Sequence, residues 1–368
     1  MADIFDYLSW RGDLDFNASP FNPVDNIIFS QLSYLALDGI VPGPGEKEGI
    51  SLALAVKVYD ERINSPERLK VTSIFKEDPD LIRTLGASKR FGNCHLFGYE
   101  NHLDNDRELQ FSALCIYTSD DHCFVAFRGT DSSVVGWKED FNMCFKEVIP
   151  AQLEAVNYLE KMSRMINRPL RIGGHSKGGN LAIYAASHCS KNIQHRITDI
   201  YSNDAPGFHE KVIHSENFLA IKDRIHSYVP QSSIIGMLLE HGNESTVIKS
   251  NESGLSQHNL YSWEVTHDDL LRAEESTISS RFVNNTLREW IYNLDNEERE
   301  QFIDSLYHIL SEADIKSFSD LENSWFSYAG RVFKSLSAVD ESKRKLIRKT
   351  LKELFQSAGR NIDTFLKQ

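Results

Sequence analysis

The sequence lacks the features that would place it in several large classes of protein. No apolar run in its 368 residues approaches the roughly 18 that a membrane-spanning helix needs. The opening Met1-Ala2-Asp3-Ile4-Phe5-Asp6 is acidic and lacks the basic start and apolar centre of a signal peptide, so a cytoplasmic location is expected. Cysteine is scarce: Cys94, Cys115, Cys123, Cys144 and Cys189 are odd in number, scattered and without a C-x-x-C pair. That argues against a disulfide framework or a zinc site and for buried free thiols. The 13 histidines contain no H-E-x-x-H, so no metal or cofactor is expected. Positive charge is in deficit, 40 Lys and Arg against 53 Asp and Glu, and the net −13 disfavours nucleic acid as a partner.

The residues that are present change texture twice along the chain. Up to about residue 90 the pattern reads as helical, with apolar residues at helical spacing over 26–37 and 51–63, separated by the helix-excluding loop Pro42-Gly43-Pro44-Gly45. From about 91 strands alternate with helices. Strands are expected at 109–118, 123–127, 170–173, 197–202 and 245–248, with helices at 151–166 and 179–187 and a turn at Ser119-Asp120-Asp121. The alternation predicts an α/β fold, a mainly parallel sheet covered by helices. After residue 268 proline disappears and only Gly330 and Gly359 remain. Asp295 with Glu298, and Ser319 with Glu322, have capping-box spacing. The expected organisation is a domain over 1–268, with a helical part to about 90 and a core over 91–268, then a helical region of about four helices over 269–368.

The richest segment is Gly173-Gly174-His175-Ser176-Lys177-Gly178-Gly179. The pattern G-x-S-x-G is short, but here an expected strand enters it and an expected helix leaves it. That is the context of a nucleophile elbow, where a serine sits on a sharp strand-to-helix turn. Glycines two residues to either side let helix and strand approach without a Cβ between them. The N–H of Lys177 then lies at the positive end of the helix, where an oxyanion would gather. His175 reads as a packing residue, not as the general base.

This elbow resembles that of the class 3 lipases. A second segment strengthens the likeness: Val125-Ala126-Phe127-Arg128-Gly129-Thr130, followed by Trp137 and Asp140, 46 residues before the serine when counted from Thr130. The resemblance implies an α/β-hydrolase fold and an oxyanion hole made by the backbone N–H groups of Thr130 and Lys177. The chain also resembles a family of bacterial lipase-like proteins through Pro20-Phe21-Asn22-Pro23-Val24-Asp25-Asn26, the segment 228–241 and the segment 257–263. Two departures stand out. Lys177 replaces an apolar residue, its cation either favouring an anionic substrate or pointing to solvent, and Asp131 follows Thr130.

A serine hydroxyl needs a base, and the base an orienting acid, in the chain order Ser, Asp or Glu, His for this fold. Asp204, in Asn203-Asp204-Ala205-Pro206 after the expected strand 197–202, is the preferred acid. The resemblance points elsewhere, to the residue before Tyr228-Val229-Pro230, but Ser227 stands there and Asp223 lies four residues further back. His258 is the preferred base, with His267 and His241 as rivals. Residues 134–137 and 141–145 are apolar enough for a lid or an acyl pocket, or for the core.

The last 27 residues, 342–368, carry eight basic and two acidic side chains, leaving −19 on the remainder. Ile347, Leu351, Leu354, Ala358, Ile362 and Phe365 form one helical stripe, suited to an anionic membrane surface or to packing on the protein's own acidic body. The leading expectation is a serine hydrolase that cleaves a carboxylic ester, a small-molecule ester, lipid or thioester. The alternatives are a peptidase or amidase, a non-catalytic binding protein of the same fold, and a membrane-surface adaptor built on the basic tail.

Overall fold

The computed structural model describes residues 1–46, 48–63, 75–131, 134–143, 146–233, 235–274 and single positions between 285 and 357. It forms two compact units. The first holds Met1–Leu103, Phe111–Gly129 and Ala151–Ser276; the second holds Asp104–Gln110, Thr130–Pro150 and Thr277–Gln368.

The architecture is α/β, a mainly parallel sheet flanked by helices. Eight strands lie side by side in chain order: β1 Ile50–Ser51, β2 His95–Asp104, β3 Leu109–Tyr117, β4 Cys123–Phe127, β5 Leu170–His175, β6 Ile197–Asn203, β7 Ile225–Pro230 and β8 Ser245–Ile248. The pair β1/β2 and the hairpin β3/β4 are antiparallel. From β4 onward every pairing is parallel, with Val125 opposite Ile172, Gly174 opposite Ser202 and Tyr228 opposite Thr246. Strands buried on both faces need apolar side chains throughout, and β4 (Cys-Phe-Val-Ala-Phe) is buried at every position. β2 and β7 were not expected from local pattern. The second half of β2 is polar and exposed, and β7 ends on a proline.

The N-terminal stretch forms α1 Ile4–Arg11, α2 Pro23–Leu32, α3 Leu52–Ile63, α4 Asp78–Ala87 and the single turn α5 Lys89–Gly92. The first helix expected, over 26–37, begins three residues earlier and stops at Leu32. Asn22 caps it, accepting from the N–H groups of Val24 and Asp25 while the Asp25 carboxylate closes a capping box, and Pro23 occupies the first turn. The helix is buried from Val24 to Leu32, so its polar residues need partners inside. Asp25 pairs with Arg90 at 2.6 Å, both side chains fully buried, and takes a further hydrogen bond from Tyr7 Oη at 2.8 Å. Asn26 exchanges amide hydrogen bonds with Asn203 at the end of β6, at 2.8 and 3.2 Å.

Two further long helices follow in chain order, α7 at Pro150–Ser163 and α8 at Lys177–His188, after α6 Val134–Asn142 of the second unit. Neighbouring residues of a strand face opposite sides of a sheet. A Cβ on Gly173 would meet Asn26 of α2, and one on Gly174 would meet Gly178 of α8, so α2 and α8 cover opposite faces of β5.

The chain just beyond residue 268 is extended rather than helical. Leu271 O accepts from Lys249 N and Ala273 N donates to Val247 O, both at 2.8 Å, which covers the free edge of β8. In the second unit, Glu108 binds Lys138 Nζ at 2.7 Å and Asn142 Nδ2 at 2.9 Å. The Asp295–Glu298 capping box is formed, and Lys349 pairs with Glu298. Ser319 and Glu322 lie outside the described residues, as does the apolar stripe of the tail apart from the buried Ile347. No helix among the described residues is long and apolar enough to cross a membrane.

Candidate active site

The chain leaves β5 and enters α8 through Ser176, whose backbone sits at φ 58°, ψ −135°. A non-glycine residue there costs on the order of 1–3 kcal/mol and persists only where the surroundings enforce it. Here Ser176 N donates to Asn203 O at 2.9 Å and Gly179 N donates to Ser176 O at 3.0 Å. The helix then passes so close over β4 that a Cβ on Gly178 would stand 2.1 Å from Phe127 O. Every residue of α8 from Lys177 to Ser187 is buried. Lys177, 1% exposed, therefore does not turn its cation to solvent, because a helix enclosed on all sides leaves its first residue no such path.

Asp204 follows β6 and also has a positive φ, 46°. Its own N–H donates to Tyr228 O at 2.8 Å. The carboxylate is 1% exposed and accepts from three directions: Ser233 Oγ at 2.5 Å and Gly236 N at 3.2 Å on Oδ1, and His258 Nδ1 at 2.6 Å on Oδ2. A carboxylate only accepts, so Nδ1 of His258 carries the proton and Nε2 remains the basic nitrogen. Among the described residues no hydrogen bond joins Ser176 Oγ to His258.

His258 ends the short turn Gly254–His258, and its neighbour fastens that turn. Gln257 accepts from Ser232 N at 2.7 Å and donates to Glu252 O at 2.8 Å, while the wholly buried Trp263 donates to Gln257 O at 2.9 Å. The segments 228–241 and 257–263 thus build the pocket around the Asp204 carboxylate and the turn that carries His258. Ser233 and Gly236 were not expected as site residues. Their signal was membership of the first of those segments.

His175 is a buried neighbour of His258. Burial first, and the nearby His258 second, hold its imidazole well below the usual 6.5. Tyr34 Oη stands 2.9 Å from its Nδ1, and its Nε2 stands 2.7 Å from the backbone oxygen of His258.

The rival residues are placed elsewhere. Asp223 is exposed on the turn Lys222–Arg224. His267 stacks on Trp10 at 4.9 Å, and His241 makes no described contact with Asp204 or Ser176. Thr130 donates its hydroxyl to Asp140 at 2.6 Å within the second unit, and Asp131 is half-buried. Among the residues suggested for a lid or acyl pocket, Met143 is buried, while the side chains of Val134, Val135, Trp137 and Phe141, with Cys144 and Phe145, lie outside the described residues. Glu100, His102 and Glu154 offer three metal-ligand atoms within 4.8 Å of one another, but none belongs to the set around Ser176. His102 lies 3.2 Å and Lys161 3.8 Å from the Glu100 carboxylate.

Comparison with known proteins places these observations in a family. The profile of a family described as Mbeg1-like matches residues 85–308. No curated protein matches the chain. Among solved structures the chain is similar to a Rhizomucor miehei lipase–propeptide complex, at 13% identity over 62% of this chain and 67% of that one, with a TM-score of 0.36. It is similar to a lipase from Rhizopus microsporus var. chinensis, at 13% identity over 65% and 89%, TM-score 0.36. It is similar also to the Lip2 lipase of Yarrowia lipolytica, at 12% identity over 70% and 87%, TM-score 0.35. Likenesses this distant carry no argument about chemistry.

Proposed function

The chain belongs to the Mbeg1-like family, and from that premise we propose that it is a serine hydrolase that cleaves a carboxylic ester, including lipid and thioester substrates. The observation that carries this reading is the 2.6 Å hydrogen bond between His258 Nδ1 and the buried Asp204, beside an elbow that presents Ser176 in a strained turn. Ser176 Oγ attacks the acyl carbon while His258 Nε2 removes its proton, and Asp204 holds the imidazole and stabilises its charged form. The N–H of Lys177, at the amino end of α8, and that of Thr130 hold the oxyanion. Thr130 follows directly on Gly129, where an added Cβ would lie 3.0 Å from Ser176 Cβ. Collapse of the tetrahedral intermediate passes the proton from His258 to the leaving group. Water then enters by the same route and releases the acid.

This chemistry calls on no metal or cofactor. The buried free thiols of Cys94, Cys115, Cys123 and Cys189 suit a reducing cytoplasm, and the basic tail offers peripheral contact with an anionic membrane. An amidase would use the same triad. A non-catalytic binding protein of this fold is the second reading, favoured by the missing Ser176–His258 hydrogen bond. Such bonds are often long in unliganded enzymes and tighten with substrate.

Labelling with a fluorophosphonate separates the two. Wild type is expected to label, and Ser176→Ala and His258→Ala to lose the label. A folded wild type that stays unlabelled sinks the hydrolase reading. Loss in Ser176→Ala alone keeps the nucleophile and removes His258 as its base.

A further inference from the structure

The residue just before the nucleophile has both ring nitrogens committed. Nε2 of His175 faces the backbone oxygen of His258 at 2.7 Å, and a carbonyl only accepts, so Nε2 carries the proton. Nδ1 is then the acceptor for the hydroxyl of Tyr34 at 2.9 Å. His175 is 2% exposed and Tyr34 3%, so neither can exchange these partners for bulk water without opening the fold. The two imidazole rings lie 4.4 Å apart between centroids, inclined by 38°. Among the described residues His175 is the one hydrogen-bond donor to the His258 carbonyl. The base is thus held at two points, by Asp204 at its ring and by His175 at its main chain.

Resting on the reading of Ser176 as nucleophile and His258 as base, we propose that His175 is a positioning residue for the base: its Nε2–H anchors the backbone of His258, and the Tyr34 hydroxyl holds the ring from the other side at Nδ1. The anchor matters because His258 ends a short turn rather than a strand or long helix, and a general base displaced by a fraction of an ångström loses much of its effect. A space-filling residue would need neither nitrogen. His175 stays neutral, so it opposes no charge when His258 takes the serine proton.

The test compares His175→Phe, which keeps volume and loses the donor, with His175→Gln, which returns an N–H near the Nε2 position, and with Tyr34→Phe. Turnover of a p-nitrophenyl ester is read as kcat and KM separately, beside a thermal melt. His175→Phe is expected to lose about tenfold in kcat, the scale of one well-placed hydrogen bond, with KM nearly unchanged. His175→Gln should recover most of that loss. Tyr34→Phe should lower kcat by less, and add nothing in the His175→Phe background. A folded His175→Phe at wild-type kcat, or a Gln variant no better than Phe, overturns the proposal. Should His175→Phe fail to fold, Tyr34→Phe at wild-type kcat overturns it as well. The low-field proton of the His258–Asp204 bond, followed by NMR, reports positioning without catalysis. It should broaden or shift in His175→Phe. If it is unchanged there, the proposal fails even in a protein that never labels, whereas failure to label bears only on the hydrolase reading.

Discussion

Two histidine–aspartate pairs lie along one strand, and they differ in almost everything except composition. Asp199, the third residue of β6, meets His226 Nε2 at 3.0 Å. Asp204, just past the end of β6, meets His258 Nδ1 at 2.6 Å. The side chains of the first pair are 31% and 41% exposed, and Arg171 stands 3.9 Å from the same carboxylate. The second pair holds its carboxylate at 1% exposure, with no cation described against it and with hydroxyl and backbone donors in place of one. The first sits within β6, beside a register shift against β5 and without a positive φ; the second sits on a residue of positive φ, as Ser176 does. A His–Asp pair is therefore not by itself a site. Strain, burial and a directed donor set separate the Asp204 pair from the Asp199 pair.

The contrast can be broken most forcefully at the acids. Asp204→Asn should cost about 10⁴-fold in kcat, because the amide favours the wrong imidazole tautomer. Asp199→Asn should leave kcat/KM within about twofold, as expected of an independent site. Equal losses in ester turnover would erase the distinction.

A finer cut is Ser233→Ala, which removes one donor from the Asp204 carboxylate and should lower kcat by about tenfold with the melt little changed. Wild-type kcat in this variant would mean that Gly236 and His258 suffice to hold the acid.

The smallest effect concerns stability. The bond from His226, helped by the charge of Arg171, holds the Asp199 carboxyl below its usual 3.8. The stabilisation is present above the unfolded value and is lost as pH falls through the folded one. Asp199→Asn should flatten that part of the acid slope in urea denaturation between about pH 5 and pH 2. An unchanged slope would show that the pair contributes nothing to acid stability.

Much of this arrangement is legible locally. The strands expected at 123–127 and 245–248 have those bounds in the structure, and the helix expected over 179–187 runs Lys177–His188. These elements are short and bounded by turn residues, so near neighbours decide them. The start of α2 escapes the local pattern because Asn22, Pro23 and Asp25 act as a cap and look like loop residues until they do. β7 escapes it too, because its Ile-His-Ser-Tyr-Val-Pro becomes a strand only between β6 and β8.

By itself the sequence determined the glycine-framed elbow, the α/β alternation, and a short set of acids and histidines in workable order. Those features depend on sterics and periodicity within a dozen residues. It took the folded chain to bring Asp204 to His258 across 54 positions, Ser233 and Gly236 to the other carboxylate oxygen, and Tyr34 to His175 across 141. The physical reason is burial: a carboxylate or imidazole taken out of water must find its partners among whatever groups the packed sheet and loops bring near, and chain distance carries no information about which those are.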